Sequence, residues 1–341
     1  MPGIKSLRRI QGGAEATAGT SVPATWIWRG TGVGKDLSEV TFVEEDIGLL
    51  SDALRTYKAK TGGEVTFEGA ASFEQLGYFW QSGIYTTAPT TDTSAAKVWT
   101  WTHQTASADP IATTDLQTYT LEFGDNQQAE YMAYCFTREY KLSGKVSEAL
   151  MLSATMEGRT VGTTDFTPST DVAIPTVETI LFTNGTLYID SAVSSSDIGT
   201  TQVSQTLFNI DLSHTTGWRG YPAADGRTDF SFVKRTKDEL TLSITFEHNT
   251  SAVAEKLAWR NQTERAIRLM FTGNALSSTD AGAPYDKKTL IIDLWGKWES
   301  FEALSDNSGN DQVVGMFRAG YSTTALAKAR YILVNELATM P

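Results

Sequence analysis

The chain has 341 residues and a mass of 37.2 kDa, enough for two domains of roughly 150 residues, each able to bury its own core. Apolar residues make up 40% and charged residues 20%, which excludes a disordered or collagen-like chain. A formal net charge of −12 opposes tight binding to the phosphate backbone, and the single cysteine, Cys135, excludes an internal disulfide or a thiolate zinc site.

Along the chain, MPGIKSLRRIQGG carries Lys5, Arg8 and Arg9 with no apolar stretch behind them. No signal peptide is expected there. No apolar run approaches the ~20 residues of a bilayer span. An intracellular or particle-assembled soluble protein is the expectation, with residues 1–23 as an N-terminal arm. Threonine occurs 48 times, beside 9 Trp, 12 Tyr and 15 Phe, a composition that favours strands. Period-two alternation predicts strands over residues 64–68, 118–123, 150–157, 240–247 and 328–337. Shorter strands are expected over 25–28, 98–102, 187–190, 207–212 and 229–233. In the first half, Ser72-Phe-Glu-Gln75 reads as a capping box, with Gln75 reaching back to Ser72 and Phe73, Leu76, Phe79 and Trp80 on one helical face. A second helix is expected over residues 251–261. Residues 45–59 read as an amphipathic helix or a long loop.

These helices expose a repeat. At an offset of 179, VTFEGAASFEQLGYFWQ (65–81) lies over ITFEHNTSAVAEKLAWR (244–260), with five identities in seventeen positions against roughly one by chance. At a different offset, DLQTYTLEFGD (115–125) lies over DKKTLIIDLWG (286–296). The alternative is two unrelated β segments with coincidental matches. Duplication accounts for both the identities and the shared element order, and Pro168 and Pro175 mark a linker over residues 165–179.

No residue set selects a chemistry. Residues 29–36, RGTGVGKD, suggest a phosphate-binding loop, but Arg29 stands where glycine is required and Asp36 where Ser or Thr belongs. A glycine-rich turn after a Trp-rich strand is expected instead. Residues 306–311 have the composition of a calcium loop with the wrong spacing, so a mobile surface loop is expected. His103, His214 and His248 are far apart in sequence and lack metal-ligand spacing; surface or strand-end positions are expected. Cys135, in AYCFT, reads as a buried inert thiol. No Gly-x-Ser-x-Gly elbow occurs, and no spacing selects a carboxylate pair for glycoside hydrolysis. Asn184, Asn249 and Asn261 match the glycosylation pattern by chance. Trp26, Trp28, Trp99, Trp101, Trp295 and Trp298 either stack on sugars or fill a core or subunit contact. No catalytic residue, metal ligand or cofactor is expected.

An acidic, Thr-rich, duplicated β protein without an active-site signature reads as structural. It resembles the major tail tube proteins of long, flexible-tailed bacteriophages. Three features carry the resemblance: a long strand followed by a capped helix (EVTFEGAASFEQLGYFWQ and SITFEHNTSAVAEKLAWR), the closing strand pair REYKLSGKVSEALMLSATMEGR (138–159), and the long polar loops 44–63 and 217–228. The resemblance covers about residues 24–337. It implies a mainly β chain of two tandem tube-type β-sandwich domains, 24–170 and 171–341, each with one flanking α-helix. It also implies that inner sheets of neighbouring copies close into a β-barrel ring, and that stacked rings conduct DNA to the host on ejection. The implied partners are other copies of the chain, the tape measure protein, and the tail terminator and tip proteins. DNA passes transiently and non-specifically, no membrane is involved, and the implied location is the virion tail after synthesis in the host cytoplasm. The residues then expected to face the lumen are Glu64, Thr66, Glu68, Thr118, Thr120, Glu122, Thr241, Ser243, Thr245 and Glu247. Ring-to-ring contacts are expected from the N-terminal arm and from Ile47, Leu49, Leu50, Leu54, Trp218 and Tyr221. Six single-domain subunits usually form such a ring, so two domains per chain imply three chains; the competing arrangement is six chains with the second domain outside. Runner-up readings are a tandem β-sandwich carbohydrate-binding protein and a carboxylate-pair enzyme.

Overall fold

The computed structural model describes residues 2–51, 54–91, 95–103, 116–191, 193–280 and 283–340. Asp115, the first residue of the second alignment, lies outside them. The chain is mainly β. The first half runs β1 (Arg9–Ala14), β2 (Trp26–Ile27), β3 (Thr31–Asp36), β4 (Glu39–Phe42), β5 (Thr56–Lys60), β6 (Gly63–Ala70), helix α1 (Leu76–Gln81), β7 (Thr90–Thr91), β8 (Lys97–His103), β9 (Tyr119–Gly124), β10 (Ala129–Lys145), β11 (Met151–Gly158) and β12 (Val161–Thr164). The second half runs β13 (Gly185–Ser191), β14 (Leu207–Thr215), β15 (Trp218–Tyr221), β16 (Phe232–Arg235), β17 (Glu239–Glu247), helix α2 (Thr250–Arg260), β18 (Arg265–Ala275), β19 (Lys287–Phe301), β20 (Ser305–Asn307), β21 (Asn310–Ala319) and β22 (Ala329–Asn335).

Two long strands organise the ladders. The first part of β10 pairs with β9 and β12, and its second part with β11 and β14. The first part of β19 pairs with β18 and β22, and its last part with β21. In the first half β9 continues to β1, and β11 continues through β6 to β3. In the second half β18 continues to β13, and β21 continues through β17 to β14. The pairing order of the two halves is therefore the same. Phe67 lies between Ala154 and Gly32, and Phe246 between Val313 and Leu207, at corresponding ladder places.

The alignment of residues 115–125 over 286–296 does not survive this topology. By its pairing, β9 corresponds to β18, whereas β19 corresponds to β10. Short alternating strands resemble one another in sequence because period two constrains them all alike.

The halves share one core. β10 pairs with β14 over seven residues, and β8 pairs with β22 over seven more. One contiguous cluster of buried side chains runs from Ile10 to Leu333, with Trp80 packed on Trp101 and Tyr331 between the halves. Among the described residues the ladders end at β2, β3, β7, β12, β13 and β20. No ladder joins these ends, so the sheet system is open.

Several local expectations are corrected. Ser72 Oγ accepts from the Gln75 amide at 3.2 Å, but the Gln75 side chain does not reach back to Ser72. It donates to the Ile27 carbonyl and accepts from the Arg29 amide, pinning the chain after β2. The second helix begins on Asn249, whose side chain accepts from the Ser251 and Ala252 amides. Residues 29–36 are not a turn, since six of them form strand β3. Its glycines are steric: a Cβ on Gly34 would lie 2.0 Å from the Phe123 ring, and one on Gly32 2.1 Å from the Thr66 carbonyl oxygen. Residues 306–311 are not a loose loop but the tip of the β20–β21 hairpin, turned by Ser308 and Gly309 at φ of 56° and 86°. Residues 45–59 contain no helix among the described ones: the loop alternative holds up to residue 55, and β5 then pairs back with β4 (Glu39–Phe42) as a hairpin. Residues 9–14 of the expected arm are strand β1, hydrogen-bonded between β2 and β9.

Candidate functional site

The second part of β10 and the last part of β19 belong to one eight-stranded antiparallel sheet, ordered β3–β6–β11–β10–β14–β17–β21–β19. Alternation gives it two unlike faces. Val65, Phe67, Leu240, Leu242, Ile244 and Phe246 enter the core. Glu64, Thr66, Glu68, Thr241, Ser243, Thr245 and Glu247 alternate with them on the opposite, polar face and remain partly or fully exposed, the sidedness expected of them. The register adds Glu157, Glu139, Lys141, Lys145, Asp211, Glu239, Arg318, Lys35 and Lys297 to this face, and Glu299, at a bulge in β19, reaches it through its ion pair with Arg318. Carboxylates outnumber cations there. The face is mixed rather than uniformly acidic: Lys141 meets Asp211 at 2.6 Å, and Arg318 meets Glu239 and Glu299, each at 3.1 Å.

Thr118, Thr120 and Glu122 are not on this face. They precede or lie in β9, in another part of the sheet system, and are 2%, 3% and 6% exposed. Glu15 covers the first two: its carboxylate accepts from both threonine hydroxyls and from the Gly19 and Tyr134 amides. Glu122 accepts from the Gln11 side chain and from the Thr167 amide and hydroxyl. The alternation of β9 is real, but its polar side meets the chain's own β1 and the segment after β12 rather than solvent.

The edges of the sheet matter as much as its face. β3 is paired only with β6, and the outer side of β20 and the end of β19 carries no ladder among the described residues. Within the chain, the strand corresponding to that end of β19 is β10, and the strand corresponding to β3 is β14. Those two are paired directly. The internal junction thus joins one kind of edge to the other and leaves one of each at the ends of the sheet.

Each half also sends out a hairpin between the two strands it connects: β4–β5 between β3 and β6, and β15–β16 between β14 and β17. In the β4–β5 segment Ile47, Leu49, Leu50 and Leu54 are all at least half exposed, as expected of contact residues. Trp218 is not. It is fully buried with Phe230 and Val233 against Leu116, Tyr134 and Phe136 of the first half, and its indole donates to the Gly83 carbonyl. Tyr221 stacks on Phe232 of its own hairpin. The second hairpin is therefore a contact within the chain, not an exposed contact to another ring. The six tryptophans considered for sugar stacking are all 5% exposed or less, so none presents a face to a glycan.

His103 and His214 are buried, not at the surface, with ring centroids 5.1 Å apart beside Asp238. His103 Nε2 lies 2.8 Å from Asp238 Oδ2, Arg235 donates to His103 Nδ1 at 2.9 Å, and His214 Nδ1 and the Tyr140 hydroxyl share a hydrogen bond at 2.9 Å. Burial pushes the His103 imidazole down to about 3 and lowers His214 as well. Burial alone raises the Asp238 carboxyl, but the hydrogen bond with His103, the His214 ring 3.5 Å away and the charges of His103 and Lys328 more than reverse it. The donor set resembles a metal site. Its cation is the chain's own: Lys328 Nζ sits 2.5 Å from Asp238 Oδ2. The cluster fastens β8 and β10 of the first half to β14 and β22 of the second. Sequence spacing missed it because its members are separated by more than 20 positions at the least and meet only through strand pairing. Cys135 is buried, and burial raises its thiol well above the ordinary value, as expected of an inert side chain.

No protein-family model matches the sequence, and no match is found among curated proteins.

Proposed function

We propose that the chain is the structural subunit of a phage tail tube, built from two tandem β-sandwich tube domains, about residues 9–170 and 171–341, each flanked by one helix, with β1 included in the first. The observation that carries this reading is the β10–β14 junction. It pairs the two edge types within one chain and leaves β3 and the β19–β20 edge at opposite ends of an open sheet. Exposed edges of this kind are a liability unless another strand covers them. Pairing β3 of one copy with β19–β20 of the next repeats the internal junction. Repetition at a constant angle closes a ring whose inner wall is the polar sheet face.

Such a wall suits DNA passage. Binding to duplex DNA is driven by Lys and Arg releasing counterions from phosphate. On this face Lys141 and Arg318 are already engaged by carboxylates, and Glu64, Glu68, Glu157 and Glu247 add negative charge. Lys35, Lys145 and Lys297 also lie on the face, but its carboxylates outnumber all its cations, so its net charge opposes a polyanion. Rings of three chains present twenty-four strands, and stacked rings form the tube of a virion tail, with tape measure, terminator and tip proteins as its partners. Concentrated purified protein examined by negative-stain electron microscopy is expected to show hollow tubes of uniform width. Protein that remains monomeric at all concentrations, or that hydrolyses a glycan, overturns the reading.

A further inference from the structure

We propose that the rim groove of the second half is a docking site for the β4–β5 hairpin of a second copy of this chain. The inference rests on the ring reading and adds a contact that strand pairing alone does not supply. The groove encloses about 460 Å³ between Lys237–Leu240 at the start of β17 and Arg318–Tyr321 at the end of β21. Counting along the ladders from Phe67–Ala154 and Phe246–Val313 gives its counterpart in the first half. Leu240 corresponds to Thr61, Arg318 to Arg159 and Ala319 to Thr160.

That counterpart is already occupied. The β15–β16 hairpin lies on it: the Thr61 amide donates to the Thr228 carbonyl at 2.8 Å, Thr160 donates to Asp229, and Arg159 donates to the Ser231 carbonyl and lies over the Phe230 ring. The second half therefore covers the rim of the first with its hairpin, while its own rim is open. The hairpin corresponding to β15–β16 is β4–β5, because both connect the same pair of strands. On the docked hairpin Trp218 and Val233 are buried; on β4–β5, Val40, Phe42 and Tyr57 are 58%, 67% and 53% exposed. An apolar hairpin without a seat and a seat without a hairpin are complementary.

Within one copy the β15–β16 hairpin lies over β10 and β11 of the first half, and a second copy is the proposed source of the β4–β5 hairpin for the open rim. Charge agrees with the match. In the occupied site burial raises the Asp229 carboxyl, and the hydrogen bonds and charge of Arg227 on the same hairpin, then the charge of Arg159, lower it overall. In the open site Lys237 lies beside Arg318, which Glu239 and Glu299 of its own chain already engage, and the β4–β5 segment carries Glu44, Glu45 and Asp46.

The test places the photo-crosslinker p-benzoylphenylalanine at Phe42 of the full chain and mixes isotopically light and heavy copies before irradiation. Mass spectrometry is expected to find light–heavy crosslinks to residues 237–240 or 318–321. The variant Phe42→Asp is expected to keep the monomer's melting midpoint and lose self-association by at least about tenfold. Tubes whose crosslinks map elsewhere overturn the docking site and leave the tube reading standing. Crosslinks to the groove in protein that never forms rings support the docking site and overturn the tube reading. Absence of crosslinks between copies, or full assembly of Phe42→Asp, overturns the docking site.

Discussion

His103, His214 and Asp238 give the molecule a calculable response to acid. Both imidazoles are held below their ordinary value of 6.5, His103 at about 3. Between those values the unfolded chain binds protons that the folded chain refuses, so stability falls as pH drops below about 6.5. Each histidine contributes a slope of at most about 1.4 kcal/mol per pH unit. The lowered carboxyl of Asp238 acts in the same direction: its contribution is complete above the ordinary carboxylate value and is lost as pH falls through its folded value. Urea melts between pH 7 and 5 are expected to show declining stability, with a shallower decline in His103→Gln. A flat profile in the wild type counters the assignment. Asp238→Ala removes the partner of two imidazoles and Lys328 and is expected to cost about 3–5 kcal/mol. Gly34 is as demanding without any charge. Its Cβ position lies inside the Phe123 ring contact, so Gly34→Ala is expected to destabilise by about 1–3 kcal/mol.

At the scale of elements, the ends of the chain and the two kinds of polar alternation separate cleanly. Deleting residues 2–7 removes an exposed turn and is expected to leave folding unchanged. Deleting residues 2–14 removes β1, six residues of pairing with β9 and the buried Ile10, and is expected to give insoluble or unfolded protein. Soluble, folded protein from the longer deletion would show that β1 is dispensable. On the sheet face, Glu68→Lys with Glu247→Lys changes solvent-exposed charge and is expected to alter stability by no more than about 0.5 kcal/mol each. In assembled particles it is expected to slow DNA exit, because it adds cations to the wall. Unchanged ejection kinetics would argue against a lumen at this face. Glu122→Lys, chosen on alternation alone, has a different outcome. It places a cation among donors from Gln11 and Thr167 and is expected to destabilise by about 3 kcal/mol or more.

For the whole molecule, the number of chains in the proposed ring follows from the number of strands each would contribute. Eight strands of one chain lie in the polar-faced sheet, four from each half, and the two halves pair in the same order. If each half is one unit of the wall, three chains complete a pseudo-six-fold ring with exact three-fold symmetry. A second half that merely decorated the outside would have no need of the β10–β14 ladder, which makes the two sheets continuous. A reconstruction of the tube without imposed symmetry is expected to count three chains per ring. Six chains per ring would overturn the trimer and leave the tube untouched.

Alternation within single strands was legible from the sequence, because period two is a local property. The segments around Phe67 and Phe246 show which side chains face the core and which face water. A helix after each strand was legible too, but not its cap: the first begins at Leu76 with Gln75 rather than Ser72 at its N-terminal boundary, and the second is capped by Asn249, which the sequence pattern does not single out as a cap. The repeat was legible in the first strand and helix of each half but not in the strand that follows, where β9 corresponds to β18 rather than to β19. What local pattern cannot carry is the identity of the surface that meets each polar face. Thr120 and Thr241 alternate alike, yet Thr120 lies under Glu15 while Thr241 faces out, because only the fold brings β1 over β9. Trp218 reads as a loop residue and becomes core because β15–β16 folds onto the other half. His103, His214 and Asp238 are unrelated by spacing and meet because β8 reaches β22 while β14 reaches β10. Contacts between distant segments are chosen by which faces and edges fit, and that choice exists only once the whole chain has packed.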